Sequence, residues 1–204
     1  LSLFVATAGL VIEAALILKE LLDALELVSF PKTSGGKGFH VLVPLDRRST
    51  YAESRQFAEI VAGAIARAHP KLATTEWSKA RRRGVLIDSN QNGEGKTIAS
   101  VYSVRPKPNA PVSTPFRWDE VDEKLDPTHY TMEVVLDRVR KHGDLYSGVL
   151  TTRQSLGKAL ARFDLGLENS GNERTMYGRD ATLFAILLWY GAELCIESGS
   201  WQRA

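Results

Sequence analysis

Cysteine is almost absent: Cys195 is the one example in 204 residues. That excludes a disulfide framework and a cysteine-based zinc site, and it makes a reducing, intracellular setting the default. An excess of either charge is missing too. The formal net charge is +2, so the molecule is no polycation, and any hold on an extended anion must come from a local patch. A membrane-length apolar run is also lacking. "LSLFVATAGLVIEAALIL" has no basic segment before it and is interrupted by Glu13 and Lys19, so it reads as core rather than leader or span. The later run "ATLFAILLWYGAELCI" is too short and too near a polar end to span. No repeat and no low-complexity tract is present. The first residue is Leu, not Met, and the expectation is a cut domain.

With 44% hydrophobic residues the chain can bury a real core. The length fits one domain, or a core plus an appendage. The pattern places a core over residues 1–166 and an unassigned tail over 167–204, helical near 181–196. Val11 to Leu27 has helical periodicity, with Ile12, Ala15, Leu16, Leu22 and Leu25 on one side. "HVLVPL" is a short buried strand closed by Pro44. "TYAE" from Thr50 to Glu53 is a capping box, and Phe57, Ile60, Val61, Ala64 and Ile65 continue its helix as far as Pro70. Gly84 to Asn90 is the next strand, "QNGEG" a turn, and Thr97 to Arg105 a further strand expected to run antiparallel to it. Thr114 and Pro115 have the chemistry of a helix start leading to Trp118. Helices are expected near Met132 to His142, stopped by Gly143, and near Arg153 to Phe163, ended by Gly166. The fold class is therefore α/β of the α+β type, a mainly antiparallel sheet flanked by helices.

Chemistry concentrates in "KTSGGKGFHVLVPL", Lys32 to Leu45. Its glycines let backbone N–H groups approach an anion closely. Ser34 adds a hydroxyl, Lys37 a point charge, and His40 stands at the strand start. A plain flexible turn with a core histidine reads equally well from these residues alone. No Ser or Thr follows the lysine, so this is not a Walker A loop, and a kinase built on it is disfavoured. "GEGKT" lacks the glycine that motif needs, since Asn90 stands there, and is better read as a hairpin turn. "WSKARRRG" clusters Lys79, Arg81, Arg82 and Arg83. Such a run can neutralise phosphates or simply be a solvated face. The strand after it ends in Asp88, where a carboxylate can hold a metal rigidly or make an Asx turn.

Together, "KTSGGKGFHVLVPL" and "ATTEWSKARRRGVLIDSNQNGEGKTIASVYSVRPKPNAPVSTPFRWDEV" resemble the polymerase domain of DNA ligase D systems, the non-homologous end-joining primase-polymerases of the archaeo-eukaryotic primase superfamily. The resemblance covers about Val11 to Phe163 and includes "DPTHYTMEVVLDRV" and "RQSLGKAL". It implies that Ser34, Lys37 and His40 bind the incoming triphosphate and that Asp88 is a catalytic, metal-binding carboxylate. It also implies that Gln91 and Arg105 line the nucleotide, with Arg81 in the nucleotide and nucleic-acid site. Lys79, Arg82 and Arg83 join Arg81 as candidate nucleic-acid contacts from the basic run.

The implied activity is addition of nucleotides to DNA ends, with two Mg²⁺ or Mn²⁺ ions as cofactors. The implied partners are DNA ends, nucleoside triphosphates, Ku and a ligase domain, in a nucleoid-associated cytoplasmic setting. The chain departs from the family at one point. An Asp-x-Asp-Pro pair is expected on a strand before the first helix, and "LSLFVATAGL" stands there instead. The expectation is a core truncated at its N-terminus and inactive alone. The alternative is a degenerate, non-catalytic module that binds nucleotide or DNA.

Overall fold

The computed structural model describes residues 2–162 and 183–190. A long helix, α1 (Ser2–Ala24), opens the chain. It begins well before the periodic stretch and stops in a turn where Glu26 takes φ 58°. Val11, Ile12, Ala15, Leu18 and Leu22 form its buried stripe, spaced as a helix packed on one side requires. Strand β1 (Phe30–Thr33) follows. Its brevity and Pro31 hid it from periodicity, and proline is tolerated because β1 lies at the sheet edge. Beyond it run β2 (Phe39–Pro44), α2 (Tyr51–Ala68), the short β3 (Ala73–Thr74) and β4 (Val85–Asp88).

Thr50 closes α2 as expected. Its hydroxyl accepts from the Glu53 N–H at 3.2 Å, and the Glu53 carboxylate accepts from the Thr50 N–H at 2.7 Å. Phe57, Val61 and Ile65 of α2 are fully or nearly fully buried against the sheet. Each such side chain contributes about 1.5–3 kcal/mol over remaining exposed. Replacing Thr50 with alanine removes the reciprocal cap and should cost about 1 kcal/mol, read as a lower urea midpoint with an unchanged slope.

The sheet has five strands in the order β1-β2-β5-β4-β3. Its fifth member, β5 (Leu183–Tyr190), corrects the expected helix near 181–196. It inserts at the centre, antiparallel to both β2 and β4. Its sequence is a continuous apolar run with neither helical nor alternating period, so periodicity alone does not mark it as a strand. The sheet is antiparallel except for the β3–β4 pair.

A second correction follows. Thr97 to Arg105 is not a strand against β4, because β5 takes that edge. Tyr102 sits at φ 62°, which breaks extended backbone. The segment pairs instead with 111–113: the Tyr102 N–H donates to Ser113 O at 2.8 Å and the Ser113 N–H to Ser103 O at 2.9 Å. Thr114 and Pro115 do not start a helical turn. They lie along β1, where the Thr33 N–H donates to Thr114 O at 2.9 Å, and the 3-10 turn begins only at Trp118. Helix α3 (Met132–His142) has the expected bounds and ends at Gly143 with φ 72°. Helices α4 (Ser147–Thr151) and α5 (Leu156–Arg162) complete the described part. Phe163 and Gly166 lie outside the described residues.

Candidate functional site

Between β1 and β2 the chain turns through Ser34–Gly38. The loop is tied across its neck: the Ser34 N–H donates to Gly38 O at 3.0 Å, and the Gly38 N–H donates to Ser34 Oγ at 3.1 Å. Gly35 adopts φ 71°, and a Cβ there would stand 2.3 Å from Arg105 Cγ and 3.0 Å from the Ser113 nitrogen. The glycine is required twice, by its backbone conformation and by the segment lying over it. Arg105 therefore drapes its stem across the loop. Lys107 approaches next to it, its Nζ 3.3 Å from where a Gly36 Cβ would be. Lys37 is exposed at the loop tip.

Strand pairing aligns the rest. Lys32 of β1 is the register partner of His40 of β2, His40 that of Leu187 of β5, and Leu187 that of Asp88 of β4. Directly paired residues share one face of a sheet. Lys32, His40 and Asp88 are thus in a row on one face, with His40 and Asp88 two strands apart. At strand spacings of about 4.8 Å their backbones are roughly 10 Å from each other.

His40 is buried, and burial holds its imidazole well below its ordinary pKa, with Lys32 and Arg105 pushing in the same direction. It is neutral near pH 7. Asp88 is 3% exposed at the strand end. Burial pushes its carboxyl upward, opposed by hydrogen bonding from Asn90 and by the charges of Arg82 and Lys96. The Asn90 N–H donates to Asp88 Oδ1 at 2.8 Å, so Asp88 also makes the Asx turn that its position allowed. Gln91 lies half-buried in the turn that follows.

The basic run does not act as one patch. Arg82 is turned inward, donating from Nε to Glu76 O at 3.1 Å and from Nη2 to Trp77 O at 2.7 Å. Arg81 is exposed and pairs with Glu76 at 3.0 Å. Arg83 donates from Nη1 to Ala80 O and Arg82 O. Lys79 is exposed. Arg81 and Arg83 line a cleft of about 330 Å³ with Arg67, Thr74 and Thr75. That cleft lies near the start of β4, while Asp88 is at its end. The structure therefore brings together Ser34, Lys37, His40 and Arg105, sets Asp88 in the row of His40 where the charge of Arg82 reaches it, and leaves Arg81 and Arg83 at a separate cleft. Lys32, paired with His40, and Lys107, beside Gly36, also stand next to this loop, and pattern reading missed both. Lys107 carried one signal, its place two residues after Arg105.

No group of three His, Cys, Asp or Glu side chains that could hold a metal ion is present among the described residues. Asp88 can offer one ligand to a cation. The full set for a two-ion centre, in which several carboxylates hold cations about 4 Å apart, does not fit the described residues.

A glycine-lysine loop between two strands, with a strand-end carboxylate in the register row of His40, is set in an α+β domain. The family model for the LigD primase-polymerase domain matches residues 6–146, and the chain belongs to that family. It is 40% identical over 134 residues to the bifunctional non-homologous end joining protein LigD of Bacillus subtilis, covering 65% of this chain and 22% of that protein. The multifunctional non-homologous end joining protein LigD of Mycolicibacterium smegmatis is 37% identical over 130 residues, 62% of this chain and 17% of that protein. Among solved structures, the polymerase domain of Mycobacterium tuberculosis ligase D in complex with DNA superposes with a TM-score of 0.66 at 32% identity. That likeness covers 72% of this chain and 51% of that one. The chain thus spans about a fifth of these curated relatives and half of the solved domain. No helix among the described residues is long and apolar enough to cross a membrane.

Proposed function

We propose that this chain is the nucleotide-binding part of a polymerase that adds nucleotides to broken DNA ends in non-homologous end joining. One observation carries the reading: the tied Ser34–Gly38 loop lies beside His40, Arg105 and Lys107, in a row that ends at Asp88. Lys37, Lys107 and Arg105 supply positive charge around glycine backbone, which suits a triphosphate. Every donor named addresses phosphate, so base preference should be slight.

A Mg²⁺ or Mn²⁺ ion arriving with the nucleotide would touch Asp88, water and phosphate oxygens, the ligand set such ions prefer. Such an ion supplies charge neutralisation to phosphoryl groups. DNA would lie alongside, and the exposed Arg81 and Arg83 with Arg67 offer its backbone a cationic cleft. A DNA ligase domain and a Ku-type end-binding protein are the partners such chemistry needs, the one to seal the extended end and the other to deliver it.

Calorimetry with ATP, GTP and AMP tests this reading. ATP and GTP should bind alike, and AMP at least tenfold more weakly, because the β- and γ-phosphates carry most of the contact. Equal affinity for AMP and ATP would overturn it.

A further inference from the structure

Lys32 is the buried charge that the nucleotide reading leaves unused. It is 1% exposed, among the largest fully buried side chains of the molecule. Lysine is almost never buried this completely without an anionic partner. Here every hydrogen-bond partner is a neutral oxygen. Its Nζ donates to Ser113 Oγ at 2.6 Å and to Ala99 O at 2.8 Å, with Thr33 O longer at 3.5 Å. Two short contacts are what the two N–H bonds of a neutral amine can make. The ionisable groups shown beside it are basic: His40, its register partner on β2, and Arg105 on the covering segment, while Lys107 approaches the loop at Gly36. Among the described residues no acid faces this buried amine, and the neighbouring Ser34–Gly38 loop is where an anion would supply the counter-charge.

The lysine is also wired to that loop. Ser113 Oγ, which accepts from Lys32, donates in turn to Thr33 O at 2.8 Å. The Ser113 nitrogen stands 3.0 Å from where a Cβ on Gly35 would be, next to Arg105 Cγ at 2.3 Å. Lys32 therefore sets how the 97–113 segment sits on the loop.

We infer that Lys32 is a positioning residue for the bound nucleotide, holding the Ser34–Gly38 loop through Ser113 and taking up a proton from solvent when the phosphates arrive. The inference rests on the triphosphate reading above. Burial, and then Arg105, push the Lys32 pKa down to about 7 in the free protein. Phosphate nearby raises it. Below that value the lysine is already charged and binding takes up nothing. Above it, binding drags a proton in, so affinity falls as pH rises from 7, by up to tenfold per pH unit at full coupling.

The test uses the whole chain at pH 8, where His40 is neutral. Calorimetry with ATP in Hepes and in Tris, buffers of different ionisation enthalpy, gives the number of protons taken up. The expected value approaches one. Lys32→Met, unbranched and uncharged, and Lys32→Arg, permanently charged, should each bind without uptake and without a pH slope above 7. A second measurement needs no variant. The lysine Cε resonance, titrated by NMR with and without inorganic triphosphate, should show the Lys32 midpoint moving upward on binding. ATP binding by the parent chain with no proton uptake, or equal uptake in both variants, overturns the inference and leaves the nucleotide reading standing. No binding of ATP or triphosphate at millimolar concentration overturns the nucleotide reading and the inference with it.

Discussion

The 204-residue chain should extend no DNA primer, with Mg²⁺ or with Mn²⁺, even where it binds ATP. The charged groups that act on Asp88 are cations, Arg82 and Lys96. The strand position between Asp88 and His40 is filled by Leu187, not by an acid. A single carboxylate leaves most of a divalent ion's coordination to water and phosphate, and a second ion able to activate a 3′-hydroxyl has too few ligands among the described residues. Polymerase rates depend on that ion for charge neutralisation and for positioning, so the expected loss is to background. A radiolabelled primer and all four nucleotides give the readout. Joining an upstream segment that carries Asp-x-Asp should restore extension, and Asp88→Ala in the longer protein should abolish it. Templated addition by the chain as it stands would show that another acid completes the centre.

The second large effect concerns β5. Proline at Leu187 should lower stability by about 3 kcal/mol or more, since it removes a ladder hydrogen bond and its ring fits no central strand. Leu187 has a register partner on either side, His40 and Asp88, so the insult reaches both halves of the sheet. Against a total of about 5–15 kcal/mol for a domain, much of the folded population is at risk at 37 °C. Urea unfolding followed by tryptophan fluorescence measures the change. The same substitution at Leu136, exposed on α3, is a poor control because it breaks a helix. Leu187→Val, which keeps the backbone donor, is the better one and should cost little more than 1 kcal/mol. An unchanged midpoint for Leu187→Pro would mean that β5 does not hold the centre of the sheet.

These two expectations mark where sequence and structure part. The cap at Thr50, the bounds of α3, the strand ending at Asp88 and the glycine loop are written in local signals: a hydroxyl, an acid three residues on, a glycine past a helix end. Those signals act within one turn of chain and need no partner. The 97–105 segment has the β-branched and aromatic residues of a strand, yet its would-be neighbour is occupied from far away. The run at 183–190 is apolar throughout, so neither the helical nor the strand period marks it. Lys32 was invisible for a third reason. Residue type predicts exposure for lysine, and only the neighbours that fold over it, Ala99 and Ser113, reverse that. The site was legible as a list of candidate residues, but their order across the sheet depends on β5.

The position of β5 also sets a clock. About 140 residues separate Pro44, where β2 ends, from Leu183, where its neighbour begins, and at about 5–20 residues per second that is roughly 7–30 s of synthesis. Once Asp88 is made, β2 and β4 wait about 95 residues for β5, and unpaired strand edges recruit other chains. The molecule therefore spends its most aggregation-prone period on the ribosome, before the strand that closes it exists. Soluble yield should respond to slower growth temperature and to chaperone supply more than to any change in the surface of the finished fold.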